Sequence, residues 1–230
     1  MTADSRDRGM TLVELLVAIS LLAIATTLIT AMVVTLARSS TRQEAEQYSS
    51  RTAAVALDQV GRVVRGATPT LHANGWQQLP AVVEARADRV RLSTYLETDA
   101  DNPAPTLVEL RIDAASGTMT ETRWASYRSG GVWAFQSTPF RTRAILAGVL
   151  PPGRSLPSGG SVGRAFDYFA ADGRALPLPT SGQLTDAQRA EVSSIHVALA
   201  VQAQPGTAAA PAVIETTVMM PNIPEPDEED

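Results

Sequence analysis

Three groups of residues in this 230-residue chain could do chemistry. The first is Gly9-Met10-Thr11-Leu12-Val13-Glu14, which opens an apolar run over 10–37, 28 residues in which Glu14 alone is charged. A carboxylate in such a run costs about 2.5 kcal/mol or more at mid-bilayer depth, so its presence calls for a functional reason. The second is Gly159-Gly160-Ser161-Val162-Gly163, which matches the G-x-S-x-G pattern of a hydrolase nucleophile elbow. The only histidines that could act as its base are His72 and His196. The third is Glu97, Asp99 and Asp101 with Asn102, an oxygen-rich cluster of the kind that suits calcium.

Each group depends on the element that must hold it. The run 10–37 is long enough to cross a bilayer, which takes about 20 apolar residues at ~1.5 Å each. A secretory signal peptide has an apolar core of about 7–15 residues with its cleavage site after the core. Here the core is longer, the small residue Gly9 precedes it, and Thr35-Leu36-Ala37 is a poor cleavage site. A plain signal anchor whose Glu14 snorkels toward the interface remains as an alternative. Arg6 and Arg8 before the run are matched by Arg38 and Arg42 beyond it, so the positive-inside rule does not set the orientation.

A nucleophile elbow needs a strand before the serine and a helix after it. Pro151-Pro152 and Pro157-Ser158 precede Ser161, and 164–169 reads as extended, so the motif reads as a flexible glycine loop. His196 sits mid-strand, on the face opposite Ile195 and Val197, as a surface or edge histidine. The spacing of Glu97, Asp99 and Asp101 lacks a full calcium-loop pattern and Pro103 follows closely, so a solvated turn is expected there. No metal and no cofactor is expected.

Past residue 37 the helix continues to about 66, where Gly66 and Pro69 stop it. Tyr48, Thr52, Val55, Val60 and Val63 recur near helical spacing, with Ala45, Ala56 and Leu57 filling in and charged residues between, an amphipathic second half. Strands are expected over 81–86, 89–97, 106–113, 118–124, 131–136, 143–150, 166–169, 192–202 and 212–219. A hairpin turn falls at 114–117 and a helical turn at 185–191. The absence of cysteine rules out disulfides and Cys-based metal sites. All 19 basic residues are Arg, and the net charge of −5 gives no reason to expect nucleic-acid binding. The end of the chain, 221–230, is dense in acid and proline, the composition of a disordered tail.

The segment Gly9-Met10-Thr11-Leu12-Val13-Glu14-Leu15-Leu16-Val17-Ala18 resembles the N-terminal signature of type IV pilins and pseudopilins. That resemblance implies cleavage between Gly9 and Met10 by a prepilin peptidase, methylation of the new Met10 amine, and Glu14 as the assembly carboxylate. The family usually has Phe after the cut; Met10 still presents an apolar residue. In a staggered stack of parallel helices, Glu14 of one subunit would neutralise the Met10 amine of the next. A second, softer resemblance runs from Phe166-Asp167-Tyr168-Phe169 and Asp172-Gly173, through Ile195-His196-Val197-Ala198-Leu199, to Thr216-Thr217-Val218 and Asn222. It is similar to the J-type minor pseudopilins of type II secretion systems, although Pro221 stands where such chains often carry Arg.

Together these imply an α+β, pilin-like fold, with a long N-terminal α-helix, transmembrane in its first half, packed on an antiparallel β-sheet domain. The expected division is a leader over 1–9, a transmembrane and assembly helix over 10–37, its amphipathic continuation over 38–66, a β-rich domain over 67–220 and an acidic tail over 221–230. The implied role is structural: a minor pseudopilin or minor pilin of a type II secretion pseudopilus or type IV pilus. Its partners would be prepilin peptidase, other pilin or pseudopilin subunits, the inner-membrane assembly platform and the lipid bilayer. It would cross the cytoplasmic membrane once, with the C-terminal domain outside the cytoplasm, before entering a filament. Two other classes stay open: a membrane-anchored adhesion protein that never assembles, and a surface hydrolase built on Ser161.

Overall fold

The computed structural model describes residues 11–71, 77–96, 103–156, 159–179, 182–202 and 211–223. The elements run α1 (Leu12–Arg65), β1 (Thr70–Leu71), β2 (Gln77–Leu79), β3 (Val82–Ala85), β4 (Arg89–Thr94), β5 (Thr106–Asp113), β6 (Thr118–Ser129), β7 (Val132–Phe135) and β8 (Arg141–Ala147). They continue with β9 (Phe166–Ala170), β10 (Ala175–Leu176), α2 (Asp186–Glu191), β11 (Val192–Val201) and β12 (Ala212–Met219). The fold is α+β, a long N-terminal helix and an antiparallel β domain, as the resemblance implies. The chain divides into two compact units between Ala45 and Glu46.

In the first unit α1 is exposed on every side from Leu12 to Ser40. In the second unit its C-terminal part is half-buried, through Ala53, Ala56, Leu57, Val60, Val63 and Val64. Those positions follow the three-and-four spacing of one helix face. The stripe matches the expected one at Ala56, Leu57, Val60 and Val63, but Tyr48 and Val55 are 70% and 72% exposed and the small Ala53 is buried instead. Alanine lets a helix backbone lie close to a sheet, which the larger tyrosine would prevent. Gly66 ends the helix where a Cβ would fall 2.7 Å from Leu96 Cδ2.

A six-stranded sheet runs in the order β3-β4-β5-β6, with β7 and β8 end to end along the far edge of β6. A second sheet has the order β10-β9-β11-β12. Val90, Leu92, Val108, Leu110, Ile112 and Met119 of the first and Phe166, Tyr168, Ile195, Val197 and Leu199 of the second share one core with α1. The two sheets are joined around the β3–β4 turn. The Tyr168 hydroxyl donates to the Arg86 carbonyl at 2.8 Å, and the Leu184 amide donates to the Ala85 carbonyl at 3.1 Å. The 106–113 and 212–219 strands lie where expected. Strand β6 runs past Trp124 to Ser129, because Gly130 and Gly131, both at positive φ, fold β7 back onto it. Strand β8 starts at Arg141 and stops at Ala147. The next residue, Gly148, has φ +76°, and a Cβ there would meet the Gln202 carbonyl oxygen at 2.6 Å. The pairs β1–β2 and β9–β10 were not expected from the sequence; their short members carry too little periodicity to be read.

One polar cluster interrupts the helix–sheet core. Glu121, whose side chain is fully covered, accepts from Gln59 Nε2 of α1 at 3.0 Å and Arg143 Nη2 at 2.8 Å through Oε2. Its Oε1 accepts from Arg123 Nε at 2.6 Å. Burial by itself would raise the Glu121 pKa, but the hydrogen bonds from Arg143 and Arg123, the Arg123 charge and Gln59 outweigh it and hold the carboxyl below its ordinary value. A depressed folded-state pKa contributes stability above the unfolded glutamate value, about 4.3, and that contribution is lost as pH falls through the folded value. Urea unfolding of the detergent-solubilised chain is therefore expected to weaken below about pH 4.3, with Glu121→Gln showing a shallower pH dependence in that range. Glu121→Ala, which removes the carboxylate shared by Arg123, Arg143 and Gln59, should cost about 3–5 kcal/mol at neutral pH in the same measurement. A separate check is Gly148→Ala, which must adopt a strained φ against a backbone oxygen and should lower the unfolding free energy by at least about 1 kcal/mol.

Candidate functional site

The start of α1 is built by Thr11, Glu14 and Leu15. Thr11 is the N-cap: its carbonyl accepts from the Leu15 amide at 3.1 Å, and its Oγ1 accepts from the Glu14 amide at 3.2 Å. Glu14 reaches back in turn, its Oε2 accepting from the Thr11 amide at 3.0 Å and from the Thr11 hydroxyl at 3.1 Å. This is a reciprocal capping box, and it satisfies two of the backbone donors that every helix start leaves open. Thr11 is the residue that sequence reasoning passed over, although Thr-x-x-Glu is the signature of such a box and stands in plain view.

Beyond the cap, the helix offers almost nothing polar. Ser20, Thr26, Thr27, Thr30 and Thr35 each donate their hydroxyl to the carbonyl four residues back, at 2.7–2.8 Å. Their polarity is consumed inside the helix, as a hydrocarbon environment requires. Leu12, Leu16, Leu22, Leu28, Met32 and Leu36 are all more than 60% exposed, and the span Leu12–Ser40 is long and apolar enough to cross a membrane. Glu14 is thus a lone anionic group on an otherwise apolar surface, and no cationic group pairs with it among the described residues. Both of its bonds fall on one oxygen, Oε2. Such a carboxylate can pair with a cation brought to the helix from outside it.

Gly9 and Met10 lie outside the described residues. So do Glu97, Asp99, Asp101, Asn102 and His72. Ser161 is exposed in a loop that follows Gly159 and Gly160, both at positive φ, and it bridges Ser155. Among the described residues neither a strand directly before it nor a helix after it frames it, which is not the setting of an elbow. His196 sits on β11 on the face opposite the buried Ile195 and Val197, as expected. Its Nδ1 is 3.0 Å from Thr217 Oγ1 and its Nε2 3.7 Å from Glu215 Oε2 on β12. No hydrogen bond joins Ser161 to His196 among the described residues.

Comparison with known families adds one match: the prokaryotic N-terminal methylation motif, over residues 4–30. The chain therefore carries the processing signal of the type IV pilin family, spanning Gly9, Met10, Thr11 and Glu14. The residues between Phe166 and Asn222 that resemble J-type pseudopilins lie outside the matched span, and that subtype gains no support from it. No curated protein matches the chain. The signal is that of a processed structural protein with a single N-terminal apolar helix, which fits a chain anchored in the inner membrane. The capping geometry is checked by Thr11→Ala. Loss of an N-cap costs about 1 kcal/mol, so amide exchange at Glu14 should quicken about fivefold while exchange in the β domain is unchanged.

Proposed function

We propose that this chain is a structural filament subunit, a minor pseudopilin or minor pilin of a type II secretion pseudopilus or type IV pilus-like fibre. It enters the cytoplasmic membrane as a single-pass precursor with its C-terminal domain extracytoplasmic. Prepilin peptidase cuts between Gly9 and Met10 and methylates the Met10 amine, and the inner-membrane assembly platform then passes the subunit into a filament with other subunits. The observation that carries this reading is the coincidence of the matched signal with a lone carboxylate on an exposed apolar helix. Assembly gives Glu14 its cation: the free amine of a neighbouring subunit, met where the surrounding apolar surface makes an unpaired charge costly. The β domain, larger than a small repeating subunit needs, supports the minor role.

The capping box supplies the test. Glutamine at the third helical position closes a capping box as glutamate does. Glu14→Gln therefore keeps the capping box and removes the charge, whereas Glu14→Ala removes the charge and the side chain's half of the box, leaving the Thr11 hydroxyl on the residue 14 amide. Expected is that both variants insert in the membrane and are cleaved but fail to enter sheared filaments, with loss of at least about tenfold in recovered subunit (≈1.4 kcal/mol). Normal assembly of Glu14→Gln would show that Glu14 serves as a cap and would end the charge-pairing account. Intact-mass spectrometry of the membrane fraction, with and without co-expressed prepilin peptidase, should show loss of residues 1–9 and a methylated Met10. An uncut chain would reduce the protein to a plain anchored domain.

A further inference from the structure

Charge along this chain is unevenly placed. Residues 116–165 hold six arginines, Arg123, Arg128, Arg141, Arg143, Arg154 and Arg164, against the single acid Glu121, in a protein whose net charge is −5. The opposite extreme lies at 225–230, where five of six residues are acidic: Glu225, Asp227, Glu228, Glu229 and Asp230.

The fold places three of them, Arg128, Arg141 and Arg143, along one margin, whereas Arg164 pairs with Asp167 of β9. Strands β7 and β8 follow one another down the same side of β6, linked through 136–140, where the Gln136 and Phe140 amides donate to the Ala125 and Arg123 carbonyls. Neither β7 nor β8 has a further strand on its outer side among the described residues. Arg128 and Arg141 are exposed there, Arg128 stacked 4.5 Å over the Trp133 ring, and the Arg143 side chain is 36% exposed. Within 116–165 Glu121 is the only acid, and it is covered beneath Arg123 and Arg143, where it neutralises one of their two charges. Tyr127 and Phe140, 49% and 52% exposed, add apolar area beside the cations. An open strand edge bearing arginine and aromatic side chains has the composition of a recognition surface for an extended acidic peptide.

We propose that the β7–β8 edge binds the acidic segment 225–230 of a second copy of this chain. Charge complementarity selects the occupant: the segment supplies five carboxylates to a margin whose cations outnumber its exposed acids. The contact is heterologous, edge to tail, so it can propagate from copy to copy. It goes beyond the filament reading by requiring two adjacent copies, and it does not depend on cleavage at Gly9.

The chain has no lysine, so Arg141→Lys introduces a unique side-chain amine while keeping the charge. Equal amounts of unlabelled and ¹⁵N-labelled full-length protein carrying this substitution are mixed in detergent and treated with a water-soluble carbodiimide. This joins a carboxylate to the lysine amine as an amide, with loss of water. The expected product is a peptide containing residue 141 joined to one within 225–230, with light–heavy pairs present. Its yield should fall severalfold as salt rises from about 0.05 to about 0.5 M, through screening. It should also vanish when the five tail acids are replaced by their amides. Links confined to light–light and heavy–heavy pairs would show the tail on its own chain and overturn the proposal. So would links only to acids outside 225–230, or none with the protein folded by circular dichroism. Because the uncleaved precursor serves in this experiment, failure of the Gly9 cleavage would leave its result standing.

Discussion

One helix must satisfy two environments, and the rest of the molecule follows from that. Over its first part every face of α1 is apolar and exposed, so only lipid or other apolar helices can receive it. Over its last part a stripe of small and branched residues, Ala53 through Val64, is covered by the sheets. A backbone in hydrocarbon must close its own hydrogen bonds, and the hydroxyls of Ser20, Thr26, Thr27, Thr30 and Thr35 do so inside the helix as well. The β domain therefore has no need to shield that first part. It is organised around the second, with both sheets turning their apolar faces to one core.

Two glutamates show what burial demands of a carboxylate. Glu121 lies in the helix–sheet core and is fully provided for within the chain, by two guanidinium groups and the Gln59 amide. Glu14 has only a threonine, which satisfies hydrogen bonding at one oxygen but leaves the negative charge uncompensated. The first arrangement is complete and binds the helix to its own sheet. The second is incomplete by one positive charge among the described residues, and under the proposed function the amine of another subunit supplies it. The same physics thus yields a structural brace in one place and, in the other, an uncompensated charge on an apolar helix, on which the proposed assembly role rests.

Much of this was legible in advance, for identifiable reasons. The apolar run and its single charge could be read directly, because composition alone decides what can sit in a bilayer. Strands 106–113 and 212–219 were clear because each is long and bounded by turn residues, and His196 fell on the expected face because strand alternation leaves no choice. Short pairings such as β9–β10 were not readable, and the helix stripe was misplaced toward Tyr48 and Val55. Periodicity weighs a residue by its hydrophobicity, whereas close packing of a helix on a sheet favours alanine.

The sequence by itself determined which part of the helix must leave water, where its one charge lies, and that Ser161 sits in a glycine loop. These are local properties, decided by residue type and spacing. Only the tertiary structure decided that Glu121 is buried under Arg123 and Arg143, that Gln59 reaches it from α1, and that β7 and β8 share one open edge. Those facts depend on which strands become neighbours across gaps of twenty to sixty residues in the chain, and no local pattern encodes that choice. It is made by closing a single apolar core, whose register then carries the polar residues to their places.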